Sequence, residues 1–92
     1  MDLGLTVEPV TAANARESGF DTGDGMLVTD VEEGSAAATA GIQAGDLITE
    51  INRLKVATPA EYRQALASVQ DSVLVLLKTK DGGSRFVVVR VK

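Results

Sequence analysis

Between Gly34 and Asp46 the chain reads GSAAATAGIQAGD, built mostly of Gly and Ala, with Ile42 as its one sizeable apolar side chain. So little side-chain volume narrows what the segment can become. It can lie close against other backbone and turn sharply, but it cannot anchor a core or carry reactive chemistry. Ser35 is placed to cap a short helix from Ala36 to Ala40. Gly41 suits the left-handed residue after its end, with Ile42 as the apolar contact next to it. Ala is the best helix former and takes little room, so this helix is expected to sit tight against a sheet, closing the end of a barrel. Gly45-Asp46 then turns the chain into the next element.

The flanking stretches read as short strands and two further helices. LGLTVEPV alternates Leu5 and Val7 with Thr6 and Glu8, and Pro9 stops the pairing or marks a sheet edge. TAANARESG predicts a short helix capped by Thr11 and ended at Gly19. FDTGDG is turn-rich, and MLVTDV (Met26 to Val31) predicts a strand with apolar residues on both faces. In LITEIN, strict alternation puts Leu47, Thr49 and Ile51 on one face and Ile48, Glu50 and Asn52 on the other; RLKV is a short return strand. TPAEYRQALASV carries the fullest helix signal, with Thr58 as cap, Pro59 at the first helical position and Glu61 completing a T-x-x-E capping box. Tyr62, Ala65, Leu66 and Val69 form its apolar stripe. SVLVLLK and RFVVVRVK form a hairpin across Asp81-Gly82-Gly83. The expectation is a mixed α+β fold, a partly open five- to six-stranded barrel or sandwich capped by two or three helices.

Composition removes several functions. Ninety-two residues suit a single domain, residues 1–92, which buries roughly 60–65% of its unfolded surface. The chain has no Cys and no His, so disulfides, thiolate or imidazole metal ligation and a Ser-His-Asp triad are excluded within it. A net charge of −4 and three aromatic residues argue against nucleic acid as a partner. No apolar run approaches the roughly 20 residues of a membrane span. Met1-Asp2 lead directly into LGLTV without a signal peptide, so the chain is expected to be an excised domain whose targeting segment lies elsewhere.

Candidate chemistry is sparse. Asp21-Thr22-Gly23 matches the aspartic-protease triplet, in which two chains bring two carboxylates together at the ends of buried strands. Here turn residues surround it, which favours a solvated loop. Asp21, Asp24 and Asp30 lack the ligand order of a calcium loop. Glu32-Glu33 and the Asp46/Glu50 pair are candidate acid–base groups; Glu32 and Glu33 sit next to a Gly-Ser turn and are expected to be exposed, with nothing near them pointing to desolvation. The Tyr62/Leu66/Val69 stripe reads first as core packing. Leu66 has two open placements, in the core or at an edge where the helix overhangs a strand.

Taken in order, these pieces resemble a PDZ domain of the bacterial, circularly permuted type over nearly the whole chain. LGLTV resembles the carboxylate-binding loop and its strand. GMLVTDVEEGSAAATAGIQAGDLITEINRLKV is similar to the strand, Gly-Ser, Ala-rich helix, Gly-Asp turn and I-x-x-I-N strand of that family, and TPAEYRQAL to the helix along its peptide groove. The wording is most similar to the second, C-terminal PDZ of Do/HtrA-family (MucD/DegQ-like) periplasmic serine proteases. The resemblance makes the Ala-rich segment a scaffold helix far from ligand.

The resemblance implies a non-catalytic module that captures protein C-termini by strand addition, without a cofactor. The N–H groups of Leu3, Gly4 and Leu5 would meet the terminal carboxylate, and the backbone of Leu5, Thr6 and Val7 would pair with the peptide. Leu3, Leu5, Val7 and Leu66 would line the pocket for an apolar last side chain, with Arg63 reaching a polar or acidic residue further back. Pro59 matches the place where many eukaryotic PDZ domains carry a His that reads Ser or Thr, so selectivity is expected to be weak and affinity roughly micromolar. Expected partners are C-terminal or unfolded peptide segments with an apolar end, the parent's own protease domain, or neighbouring subunits, in the periplasm or cell envelope. Two rival readings stay open: a docking or oligomer-assembly module with an idle groove, and the aspartic-protease idea.

Overall fold

The structure, a computed structural model, describes residues 3–79 and 81–91. Met1 and Asp2, expected to be an added lead, lie outside the described residues, as do Lys80 and Lys92. The elements run β1 (Leu5–Pro9), α1 (Ala12–Ser18), β2 (Met26–Val31), α2 (Ala36–Ala40), β3 (Leu47–Ile51), β4 (Leu54–Lys55), α3 (Pro59–Ala67), β5 (Ser72–Lys78) and β6 (Ser84–Arg90). The strands form one open antiparallel sheet in the order β1-β2-β3-β5-β6, with β4 paired to β3. The expected mixed α+β architecture is therefore present, as a six-stranded open sheet carrying three helices.

Local signals account for the helix ends. Ser35 Oγ accepts from the Ala38 N–H at 3.1 Å, and Gly41, at φ 92°, donates its N–H to Ala38 C=O. Ile42 comes next, donating its N–H to Ala37 C=O and burying its side chain. Thr58 Oγ1 accepts from the Glu61 N–H at 3.1 Å. The Glu61 carboxylate reaches back one residue further than a capping box requires, to the N–H of Ala57 at 2.9 Å. At α1 the polarity is reversed: Asn14 Oδ1 accepts from the Thr11 N–H at 2.8 Å.

Apolar packing covers both faces of the β2–β3 pair. The main core gathers Met26, Ile48, Ile51, Val75 and Leu77 with Ala37, Ala65 and Leu66 from α2 and α3. A second, smaller cluster joins Val10, Phe20, Leu27 and Leu47, with Ala15 of α1 against it. This is why MLV in β2 is apolar on consecutive residues.

Strict alternation fails in β3. Leu47 pairs with Lys78 and Ile48 with Leu77, but Glu50 pairs with Leu76 and Ile51 with Val75. Thr49 is thus one extra residue on β3, a bulge that reverses the phase of the rest of the strand. Ile51 consequently joins Ile48 in the main core, and Leu47 packs in the other cluster.

Candidate functional site

β1 lies at the end of the sheet and pairs with β2 alone among the described residues. Gly4 C=O accepts from the Glu32 N–H at 2.7 Å, and Thr6 C=O from Thr29 Oγ1 at 3.1 Å. Both therefore point toward β2. Along a strand successive residues direct their backbone polar groups to opposite edges, so Leu5 and Val7 direct theirs away from β2, to the open edge. The one irregularity in this pair, between Thr6 and Val7, places an extra residue on β2 and leaves β1 regular.

The edge ends at Pro9. That residue has no N–H to offer, and its C=O accepts from Asn14 Nδ2 at 3.1 Å. The stretch whose backbone groups are open to a ligand strand is short, Leu5 to Val7, as the position of Pro9 led us to expect.

The side chains of Leu5 and Val7 are half-buried and pack on the main core, while Thr6 and Glu8 are exposed on the opposite face. Leu3 and Leu66 belong to the same core as Leu5 and Val7, at 2% and 4% exposure. Of the two placements open to Leu66, the structure takes the core. Tyr62, also on α3, packs half-buried on this cluster, and Arg63 is exposed. The four apolar residues expected to form a pocket are thus brought into one cluster, whereas Thr6, expected to pair with a peptide through its backbone, is exposed with its C=O directed to β2, and Arg63 stands at the surface of α3.

The loop before β1 is seated on α2. Leu3 C=O accepts from the Ala37 N–H at 3.1 Å, satisfying one of the donors left unpaired at a helix start. Gly4 has φ 84°, and a Cβ there would overlap the Cβ of Ser35, the residue that caps α2. The Ala-rich segment was expected to be a scaffold helix far from the ligand loop. Instead it touches this loop and holds it in place, and its lack of side-chain volume is what permits the approach. Local sequence signals identified the α2 cap but not this contact, because the two segments are some thirty residues apart.

The remaining candidate groups fall outside this arrangement. Asp21 lies in an exposed turn, its N–H donating to Asp24 Oδ2 at 3.0 Å and its C=O accepting from the Asp24 N–H at 3.1 Å. It is not at the end of a buried strand, which is what the protease triplet requires. Asp24 also lies 3.9 Å from Lys78 Nζ. Glu32 and Glu33 are exposed, and Asp46 Oδ2 accepts from the Gln43 N–H at 3.0 Å, stabilising the turn into β3. Among the described residues no three His, Cys, Asp or Glu side chains are grouped to hold a metal, and no helix is long and apolar enough to cross a membrane.

Residues 27–79 match the family model of the PDZ domain, more than half of the chain. The chain is 34% identical over 90 residues to a probable periplasmic serine endoprotease DegP-like of Chlamydia trachomatis, covering 96% of this chain and 18% of that protein. A protein of the same description from Brucella suis is 36% identical over 88 residues, covering 91% of this chain and 15% of that protein. The chain thus spans less than a fifth of the length of these relatives. Among solved structures, the HtrA3 PDZ domain bound to a phage-derived ligand (FGRWV) superposes with a TM-score of 0.82 at 19% identity, covering 97% of this chain and 82% of that one. The HtrA-type protease AlgW with decapeptide gives 0.85 at 20% identity, over 97% of this chain and 28% of that one. An open antiparallel sheet with a free β1 edge, a Gly4 loop seated on a short Ala-rich helix, and these matches agree: the chain belongs to the PDZ domain family and is related to the PDZ domains of DegP/HtrA-type proteases.

Proposed function

We propose that this domain captures C-terminal or unfolded peptide segments with an apolar end by adding them as a strand to β1, and that it serves as a regulatory module of a longer periplasmic serine protease. The observation that carries the reading is the open edge of β1. Leu5 and Val7 aim N–H and C=O groups where no strand of the described chain pairs, while their side chains face the apolar cluster that includes Leu66. An antiparallel ligand satisfies these groups and lays alternate side chains on that cluster. Its terminal carboxylate lies by the amides of Leu3, Gly4 and Leu5, and Arg63 meets a polar or acidic residue further back. Because Leu66 is already buried, an apolar terminal side chain enters only as Leu66 and α3 give way, which lowers affinity. A strip this narrow corresponds to micromolar binding, about −8 kcal/mol. The ligand-bound relatives and the DegP-like descriptions support both halves of the reading.

A docking role has its own observation. Phe86 and Val88 of β6 are 56% and 55% exposed, and their cross-strand partners Leu76 and Leu74 share their face. An apolar patch of this kind suits the protease domain or a neighbouring subunit of the parent protein. Titrating free-acid peptides with an apolar last residue beside their C-terminally amidated forms separates the two. Free-acid binding lost on amidation supports strand addition with carboxylate capture; no binding of either form supports docking.

A further inference from the structure

Resting on the strand-addition reading, we infer that Glu8 makes the groove selective for ligands with a basic side chain at the fourth residue from the carboxyl end. An antiparallel ligand with its carboxylate at the Gly4 loop sets its last residue opposite Leu5, the next opposite Thr6, the third opposite Val7 and the fourth opposite Glu8. Residues facing each other across an antiparallel pair share a face, with Cβ atoms roughly 4.5–5.5 Å apart. The last and third side chains therefore point inward with Leu5 and Val7. The second and fourth point outward with Thr6 and Glu8, which are exposed.

Glu8 is held in position for this contact. Its Oε1 accepts from Asn14 Nδ2 at 2.9 Å, and Asn14 is itself fixed by the Thr11 N–H and the Pro9 C=O. That leaves Oε2 for a ligand. A basic side chain opposite Glu8 meets this oxygen directly, as an opposite-charge cross-strand pair. Asp30, on β2 across Thr6 from the ligand edge, adds negative charge to the same outer face. The wider field has the same sign: residues 1–50 hold ten of the thirteen acidic side chains and one of the nine basic ones, Arg16. Arg63, exposed on α3, has the opposite charge.

The test uses three free-acid hexapeptides with one apolar last residue, differing only in Lys, Ala or Glu at the fourth position from the end. Each is titrated into the wild type, Glu8→Gln and Glu8→Lys at low and at high salt. Gln keeps the side-chain oxygen that Asn14 needs. For the wild type at low salt the Lys peptide binds about 2- to 10-fold tighter than the Glu peptide. The gap falls to within about twofold in Glu8→Gln and at high salt, and the order reverses in Glu8→Lys. Equal binding of the Lys and Glu peptides to the wild type overturns the inference and leaves strand addition standing. A preference that survives Glu8→Gln also overturns it. Failure of all three peptides to bind overturns strand addition itself.

Discussion

Gly4 and Ser35 stand so close that a Cβ on the first would overlap the Cβ of the second and lie 2.7 Å from its Oγ. The cap of α2 thereby sets the position of the loop that opens β1, and the loop's carbonyl at Leu3 in turn accepts a hydrogen bond from the helix start.

Gly4→Ala is therefore costly twice over, through its φ of 84° and through the overlap with Ser35. Gly34 provides the control, because its φ is 76° and nothing lies within 4 Å of a Cβ there. Gly34→Ala is expected to cost about 1 kcal/mol, the left-handed penalty alone, and Gly4→Ala about 2 kcal/mol or more. Urea denaturation of the two variants measures the difference, which reports the packing of the loop on α2.

Leu66→Ala removes a side chain only 4% exposed in the main core and should cost about 2–5 kcal/mol. Arg63→Ala, three residues earlier and exposed, should change stability by no more than about 0.5 kcal/mol. The two melting temperatures check this; at roughly 4–8 °C per kcal/mol the contrast is easily resolved.

The β3–β4 turn carries removable strain. Asn52 and Arg53 have φ of 50° and 68°, the left-handed pair of a two-residue hairpin turn that favours Asn followed by Gly. Asn52 is further held by β5, its Oδ1 accepting from the Leu74 N–H at 2.9 Å. Arg53 is exposed. Arg53→Gly should relieve a left-handed cost of about 1–2 kcal/mol and add roughly 0.5–1 kcal/mol of unfolded-chain entropy, a net gain of up to about 1.5 kcal/mol. Thermal unfolding should show a higher midpoint for the variant.

Asp81 gives a pH signature. Its carboxylate accepts from Thr79 Oγ1 and from the Gly83 N–H, and these bonds hold its pKa below the ordinary 3.8. A group whose pKa is lowered on folding stabilises the fold above its unfolded pKa and loses that contribution as pH falls through the folded value. Wild type and Asp81→Ala should therefore differ most near neutral pH and converge below about pH 3 in a denaturation series.

How much of this was legible in the sequence depended on whether the cause was local. Thr58 and Ser35 cap their helices through bonds to residues three positions on, and Gly41 and Gly82 take up the left-handed angles their turns demand. Such features are set by a few neighbouring side chains. The bulge at Thr49 was not legible, because it is set by the register with β5 some twenty-five residues later. Gly25 belongs with it: a Cβ there would overlap the carbonyl oxygen of Ile48, a constraint that appears only once β2 lies beside β3. At the candidate site, alternation placed Leu5 and Val7 on one face, and Pro9 marked the end of the edge. The burial of Leu66 and the seat of Gly4 on α2 were set by tertiary packing that no short window records.

Pairing of a ligand along the open edge of β1 is visible residue by residue in amide NMR. Backbone N–H resonances are monitored as a free-acid peptide with an apolar last residue is added. The largest shifts and the greatest slowing of hydrogen exchange are expected on Leu5 and Val7, with smaller shifts along α3 at Arg63 and Leu66. Shifts confined to Phe86 and Val88 on β6, or a β1 edge unchanged at saturating peptide, would contradict pairing at this edge.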